Sequence, residues 1–343
     1  MKLNINNRHQ FVMELRRQSD LTGMPLYSES VTADMADLVE ESYIAGVLNE
    51  KLPAEPDEMT VEVKPVWLKE PLVDKVEVEL VAGLNGNRVT YTKKFAAGRW
   101  VRSGQAAALG LREEGTLADD EAAYRLLMAV PQKEAAPLEV PPLQPPPICE
   151  QTLEDFGVRS LGAGSLVPDR PLLVNQRLAA DAVARCEEAG TTETGGAVLG
   201  KIVRLPEPLP GTQTRIITIL SATVQDPRHE GAPLSFYFSP EALDEAARIG
   251  DLRGMGETVQ TVFHTHGWSK TCADCNKNSK CPLAECNPSL QDYQLLESLF
   301  SSKATLMPIA GRKMGEHSKH PILQVHAWRG GEMLPIRWQE YCD

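Results

Sequence analysis

The sequence predicts an α/β protein in two parts: a C-terminal mixed β-sheet flanked by helices over residues 151–343, and a smaller N-terminal α+β domain over residues 1–130. Residues 131–147 hold seven prolines in seventeen positions, a composition that favours extended polyproline II, so residues 131–150 read as a semi-rigid linker. Downstream, apolar runs of strand length mix with helical patterns without strict alternation, which fits a sheet sandwiched by helices and not a doubly wound nucleotide fold. The chain has 343 residues, 42% of them hydrophobic, enough to bury a core in each part.

In the N-terminal part, residues 32–48 place Met35, Leu38, Val39, Tyr43, Val47 and Leu48 at roughly helical spacing, with Thr32 as the expected N-cap. Residues 60–67, 75–81 and 88–95 alternate like strands, and Asn85-Gly86-Asn87 between the last two is a strong hairpin signal. A short helix over 118–128 is expected to end the domain. In the C-terminal part, residues 175–189 read as a helix stopped by Gly190. Strands are expected over 197–203, 214–224, 235–238 and 259–265, with a helix over 240–249 that has Pro240 in its first turn. A helix over 289–300 and strands over 304–309, 322–328 and 333–338 complete the pattern.

The net charge of −12 argues against affinity built on neutralising phosphates. Neither part hides a basic domain: residues 1–150 hold 16 basic and 24 acidic side chains, and 151–343 hold 19 and 23. No nucleic-acid partner is expected. The first twenty residues lack a signal-peptide apolar core, and no stretch approaches the ~18 consecutive apolar residues of a membrane helix. The expectation is a cytoplasmic protein without a membrane partner, whose seven cysteines are reduced thiols and metal ligands rather than a disulfide framework.

Chemistry concentrates in Val262–Ser269, VFHTHGWS, and in Asp292, 26 positions after His266 in a Pro-Ser-Leu-Gln-Asp stretch that opens an amphipathic helix. Histidines at i and i+2 of an extended segment point the same way, so His264 and His266 can reach one ion. With Asp292 as a third ligand, the set leaves the fourth tetrahedral position of Zn²⁺ open for water, as catalytic sites do. Ser289 reads as a helix N-cap or as a donor to a developing oxyanion. Glu193 lies in a glycine-flanked turn before a strand. Each residue alone has a plainer explanation; order, spacing and strand-turn-helix context together favour the metal site.

His264-Thr265-His266, followed by Ser289-Leu290-Gln291-Asp292 and preceded by Glu193-Thr194-Gly195-Gly196, resembles the JAB/MPN domain with its JAMM zinc-metalloprotease signature. The resemblance spans roughly residues 170–340. It implies that His264, His266 and Asp292 bind a catalytic Zn²⁺, that Ser289 helps to hold the tetrahedral intermediate, and that Glu193 moves protons. It also implies a deubiquitinase-like isopeptidase or peptidase. The partners would be ubiquitin or a ubiquitin-like protein and its conjugates, with the N-terminal domain suited to hold a modifier, a conjugating enzyme or a modified target; the chain looks most like prokaryotic members associated with ubiquitin-like conjugation systems. Two alternatives stay open: a catalytically weak MPN-type interaction scaffold, and a hydrolase of small amides or cysteine adducts in sulfur-carrier metabolism.

The chain departs from the family between His266 and Ser289, where 22 residues stand in place of the usual motif's about seven, and Gly267 replaces a common proline. This insertion, residues 267–288, contains Cys272, Cys275, Cys281 and Cys286 spaced C-x₂-C-x₅-C-x₄-C. Four thiolates at such spacing could close a second, structural Zn²⁺ site, and a redox-active cluster is the competing reading. Changing Cys272 and Cys275 to serine is expected to lower the zinc content by one ion per chain. Unchanged metal content and folding, measured by atomic emission and thermal unfolding, would refute the structural site.

Overall fold

The computed structural model describes residues 1–133, 138–225, 231–232, 235–236, 238–267, 286–300, 302–312 and 320–343. The chain divides into two compact units, residues 1–47, 51–145 and 330–332 in one and residues 48–50, 146–329 and 333–343 in the other. Each is built on a mixed sheet; with five helices among the described residues, the protein is of the mixed α/β class. None of those helices is long and apolar enough to cross a membrane.

The first unit runs β1 (Lys2–Asn7), β2 (His9–Arg17), β3 (Tyr27–Ser30), α1 (Met35–Leu48), β4 (Glu58–Lys69), β5 (Leu72–Leu84), β6 (Asn87–Ala96), α2 (Val101–Glu113) and β7 (Ala123–Pro131). Its sheet has the order β1-β4-β5-β7-β2-β3, with β6 on β5. Alternation drives the β4–β5 pair: Met59, Val61 and Val63 face inward beside Val76, Val78 and Leu80, each at most 1% exposed. The β5–β6 turn is the expected Asn-Gly hairpin, with Asn85 at φ 51° and Gly86 at φ 79°, both in the left-handed region that such two-residue turns require.

Two expectations fail in this unit. Thr32 does not cap α1; its Oγ1 accepts from the Phe11 N–H at 3.0 Å and so ties the chain to β2. Residues 118–128 are not a helix, because Ala123–Pro131 pairs along its length with β2. The Leu-Leu-Met-Ala run has good helix propensity, and cross-strand pairing overrides it. The helix lies earlier, at Val101–Glu113, where Gly104 and Gly110 interrupt the pattern.

The second unit runs β8 (Ile148–Glu150), β9 (Ser160–Gly164), β10 (Leu172–Asn175), α3 (Gln176–Ala189), β11 (Gly195–Arg204), β12 (Ile216–Gln225), β13 (Gly231–Ala232), β14 (Ser235–Phe236), α4 (Pro240–Arg253), β15 (Thr258–Thr265), α5 (Leu290–Leu299), β16 (Leu306–Gly311), β17 (Ile322–Arg329), β18 (Glu332–Ile336) and β19 (Gln339–Cys342). Its larger sheet has the order β18-β17-β16-β15-β11-β12-β10-β19-β9, with β8 extending β11, and β13 and β14 pair apart from it.

That order forces curvature. Strands β18 and β19 are joined by Arg337 and Trp338 alone, yet six strands separate them in the sheet. A flat sheet would hold them roughly 34 Å apart at about 4.8 Å per strand, and so short a link spans only about 10 Å. The sheet therefore curls, and α3 fills its concave face. Leu178, Ala179, Ala182 and Cys186 of α3 pack on Val174, Val198, Leu220, Phe263, Val325 and Ile336, drawn from six different strands. Asn175 Oδ1 caps α3 by accepting the Arg177 N–H at 2.8 Å, and Gly190 at φ 63° ends it where the sequence reading placed the stop. The opposite face carries α4 over Ala197, Leu199 and Val262, and α5 over Met307, Ile309 and Trp328.

Strand β11 sits in the middle of this sheet, between β12 and β15, and its glycines let β12 approach. A Cβ at Gly196 would meet the Val224 carbonyl oxygen at 2.4 Å. Gly196→Ala is therefore expected to destabilise the protein by roughly 1–3 kcal/mol, read as a lower denaturant midpoint at unchanged slope.

Candidate metal centre

His264 is the penultimate residue of β15 and His266 follows its end. Alternation along the strand puts both imidazoles on the face that carries α5 and turns Thr265 to the other. The segment stays extended through His266, whose N–H donates to the Ala310 carbonyl of β16 at 2.9 Å. Asp292 approaches from above, at the third position of α5. A reciprocal capping box fixes it: the Asp292 N–H donates to Ser289 Oγ at 3.2 Å, and Asp292 Oδ2 accepts the Ser289 N–H at 2.6 Å. Tyr293 and Leu296 press the helix onto the sheet, and the Tyr293 hydroxyl accepts the Met333 N–H at 2.8 Å.

The two Nε2 atoms stand 3.2 Å apart, with Asp292 Oδ1 3.0 Å from His264 Nε2 and Oδ2 3.5 Å from His266 Nε2. All three residues are buried, at 2%, 6% and 9% exposure. Metal–nitrogen bonds of about 2.0–2.1 Å in a tetrahedron separate neighbouring donors by about 3.3–3.4 Å, so these atoms already stand close to the separations an ion needs. Among the described residues they are the group of three that could hold a metal ion, with donor atoms all within 4.8 Å of one another. Two nitrogens and one carboxylate oxygen suit zinc and leave a coordination position for water.

Glu193 lies two residues before β11, within electrostatic reach of His264, His266 and Asp292. Gly195 pairs with His264, and beyond it the Thr265 N–H donates to the Thr194 carbonyl at 2.7 Å while the Thr194 N–H donates to Thr265 Oγ1 at 3.0 Å. Glu193 is next, half-buried, on the wall of a cleft of about 270 Å³ shared with Arg185, Glu188, Thr192 and Gln225. Burial pushes its carboxyl up; His264 and His266 pull against this, and Asp292 adds to it. Asp292 moves the other way: burial would raise it, but His264, His266 and the Ser289 N–H hold it well below the usual carboxylate range. Burial would lower His264, and the Asp292 and Glu193 carboxylates raise it instead.

All five residues singled out for the catalytic centre thus fall in one neighbourhood: His264, His266 and Asp292 in contact, Glu193 within electrostatic reach of them, and Ser289 bonded to Asp292. Of the four cysteines, Cys272, Cys275 and Cys281 lie outside the described residues. Cys286 is buried in the Tyr293, Leu296, Met307 and Trp328 cluster, its Sγ facing the Ile322 carbonyl at 3.6 Å.

Two further side chains were not legible from spacing. His326 shares the ligand face, since it pairs with Met307, and His264 pairs with Ile309 two residues along the same strand. Its Nδ1 faces the Met307 carbonyl at 3.1 Å, and burial drives its pKa down to about 4, so it is a neutral imidazole beside the site. Cys186 of α3 directs its Sγ to the His266 carbonyl at 3.6 Å, and burial pushes the thiol up to about 12, which keeps it protonated and donating. Only strand register and helix packing place these two.

No protein-family model matches the chain, and no curated protein matches it. Among solved structures, the solution structure of protein DSY2949 from Desulfitobacterium hafniense is similar over 50% of this chain and 92% of that one, at 14% identity and a TM-score of 0.30.

The directions of these shifts set a pH test. Without metal, the raised His264 stabilises the fold fully below its ordinary 6.5, and that contribution is lost as pH rises through its folded pKa. The depressed Asp292 contributes above its ordinary 3.8, and that share is lost only as pH falls through its folded pKa. A metal ion needs neutral imidazoles and gains as His264 loses its proton. Between about pH 6 and about pH 8, the Tm increment given by zinc over chelator-treated protein is expected to grow, whereas the His–Asp contribution to the metal-free protein shrinks. A zinc increment that fell with rising pH would contradict the ligand assignment.

Proposed function

We propose that the second unit is a JAMM-type zinc metalloprotease of the JAB/MPN class, acting in the cytoplasm. It would cut the isopeptide or peptide bond that follows the C-terminal tail of ubiquitin or a ubiquitin-like modifier. The observation that carries this reading is the convergence of a two-histidine, one-aspartate donor set with a half-buried carboxylate and an exposed hydroxyl, in the order and strand-turn-helix setting of the JAMM signature. His264, His266 and Asp292 would hold the ion. When bound, zinc supplies a Lewis acid and a water acidified to a pKa of about 7.

The chain's own groups do the rest. Glu193, raised by burial, accepts the water's proton and passes it to the leaving amine, work that suits a carboxylate with a pKa moved toward neutrality. Ser289 Oγ is an acceptor for the Asp292 N–H, which leaves its own hydroxyl hydrogen to donate to the oxygen that gains charge in the transition state. Asp292, depressed by its partners, stays an anion throughout. The first unit would dock the modifier, its conjugating enzyme or the modified target.

The test combines metal analysis with cleavage of a modifier fusion. Glu193→Gln is expected to keep its zinc and lose about 10²–10⁴-fold in rate, and to retain an uncleaved conjugate on purification. Full cleavage by the variant would remove Glu193 from the mechanism. Wild-type protein that hydrolyses a small amide and leaves the fusion intact would move the assignment to small-molecule substrates.

A further inference from the structure

The β11–β15 ladder ends in a way that fixes one side chain. After Gly195 and His264, the next closely spaced pair is Thr194 and Thr265, which in a regular antiparallel ladder exchanges two backbone bonds. One is made, from the Thr265 N–H to the Thr194 carbonyl at 2.7 Å. In the other, the Thr194 N–H turns to the Thr265 hydroxyl oxygen at 3.0 Å. The side chain stands in for the carbonyl, so the chain leaves the ladder here and carries Glu193 out of the strand. Thr265 is 0% exposed and faces away from the imidazoles, so it is no ligand to their ion.

A close backbone approach lies on the far side of Glu193. A Cβ at Gly267 would meet the Thr191 carbonyl oxygen at 2.7 Å and its carbon at 3.2 Å. Both are backbone atoms, so only glycine lets the Thr191 peptide lie against the residue after His266. Glu193 is therefore held between Thr191 and Thr194, each seated on the segment that bears both imidazoles.

We propose that Thr265 and Gly267 are positioning residues that fasten the two sides of the Glu193 turn to the ligand segment and so fix the carboxylate's distance from the metal. The functional half of this rests on the proton-carrying role proposed for Glu193; the structural half stands without it. Thr265→Val keeps the shape and removes the acceptor, Thr265→Ser keeps the acceptor, and Gly267→Ala keeps Thr265 while displacing Thr191.

The measurements are zinc content, the visible spectrum of the cobalt-substituted protein, steady-state cleavage of a modifier fusion, and hydrogen exchange at the Thr194 amide. Thr265→Val is expected to retain one ion at the centre with an unchanged cobalt spectrum and to exchange Thr194 at least about ten-fold faster. It should lose about 10–100-fold in kcat with KM within about two-fold. Thr265→Ser should behave as wild type, and Gly267→Ala should lose kcat with the ion still bound. Wild-type kcat or wild-type Thr194 protection in Thr265→Val overturns the proposal, as does loss of metal in step with kcat, which would place the effect on the ligands. Should Thr265→Val not fold, wild-type kcat in Gly267→Ala overturns it alone. Wild-type protein inactive on every modifier fusion refutes the proposed function, and exchange at Thr194 in the valine and serine variants then decides the fastening by itself.

Discussion

The antiparallel register between β11 and β15 is the constraint from which the site follows. It sets Gly195 against His264 and Ala197 against Val262, and thereby decides which side chains look toward α5 and which toward α3. A slip of one residue would turn both imidazoles into the α3 core and bring Phe263 and Thr265 out in their place. Apolar burial on both faces makes that slip costly: Val262 packs under α4 while Phe263 packs against α3. His264 and His266 are thus aligned by a hydrophobic pattern in which they take no part.

The centre also shows how three buried polar groups are tolerated together. Asp292 meets two imidazoles with its oxygens and takes the Ser289 N–H as well, so the carboxylate that joins the two histidines also caps its own helix. Removing one partner of such a buried set leaves charge without compensation, a loss of about 3–5 kcal/mol in comparable cases. The site is therefore held by helix capping and sheet packing before any ion contributes, which is the preorganisation that a first coordination shell requires.

Much of this was legible in the sequence, for local reasons. His-Thr-His on an apolar strand, Ser-x-x-Asp at a helix start, Asn-Gly in a hairpin and Gly190 after a helical stripe each declare themselves within a few residues. What escaped was set by distant pairing. Ala123–Pro131 became a strand because β2 lies beside it, and Thr32 turned from α1 to the Phe11 backbone for the same reason. Strands β1 to β3 were not anticipated, although Leu3 and Ile5 of β1 alternate with polar residues and β2 buries Phe11, Met13 and Leu15 at every second position. His326 reaches the site through the β15-β16-β17 register, and Cys186 through α3, neither of which a spacing rule along the chain can encode.

The placement of Asp292 also bears on the length of the chain that leads to it. Its position is set by the capping box and by Tyr293 and Leu296 against the sheet, so the third donor depends on where a helix docks and not on how much chain leads up to it. The closure entropy of a connecting loop grows only by about 0.6 kcal/mol for each doubling of its length. The number of residues between His266 and Ser289, 22 here, can thus vary with little effect on where Asp292 stands.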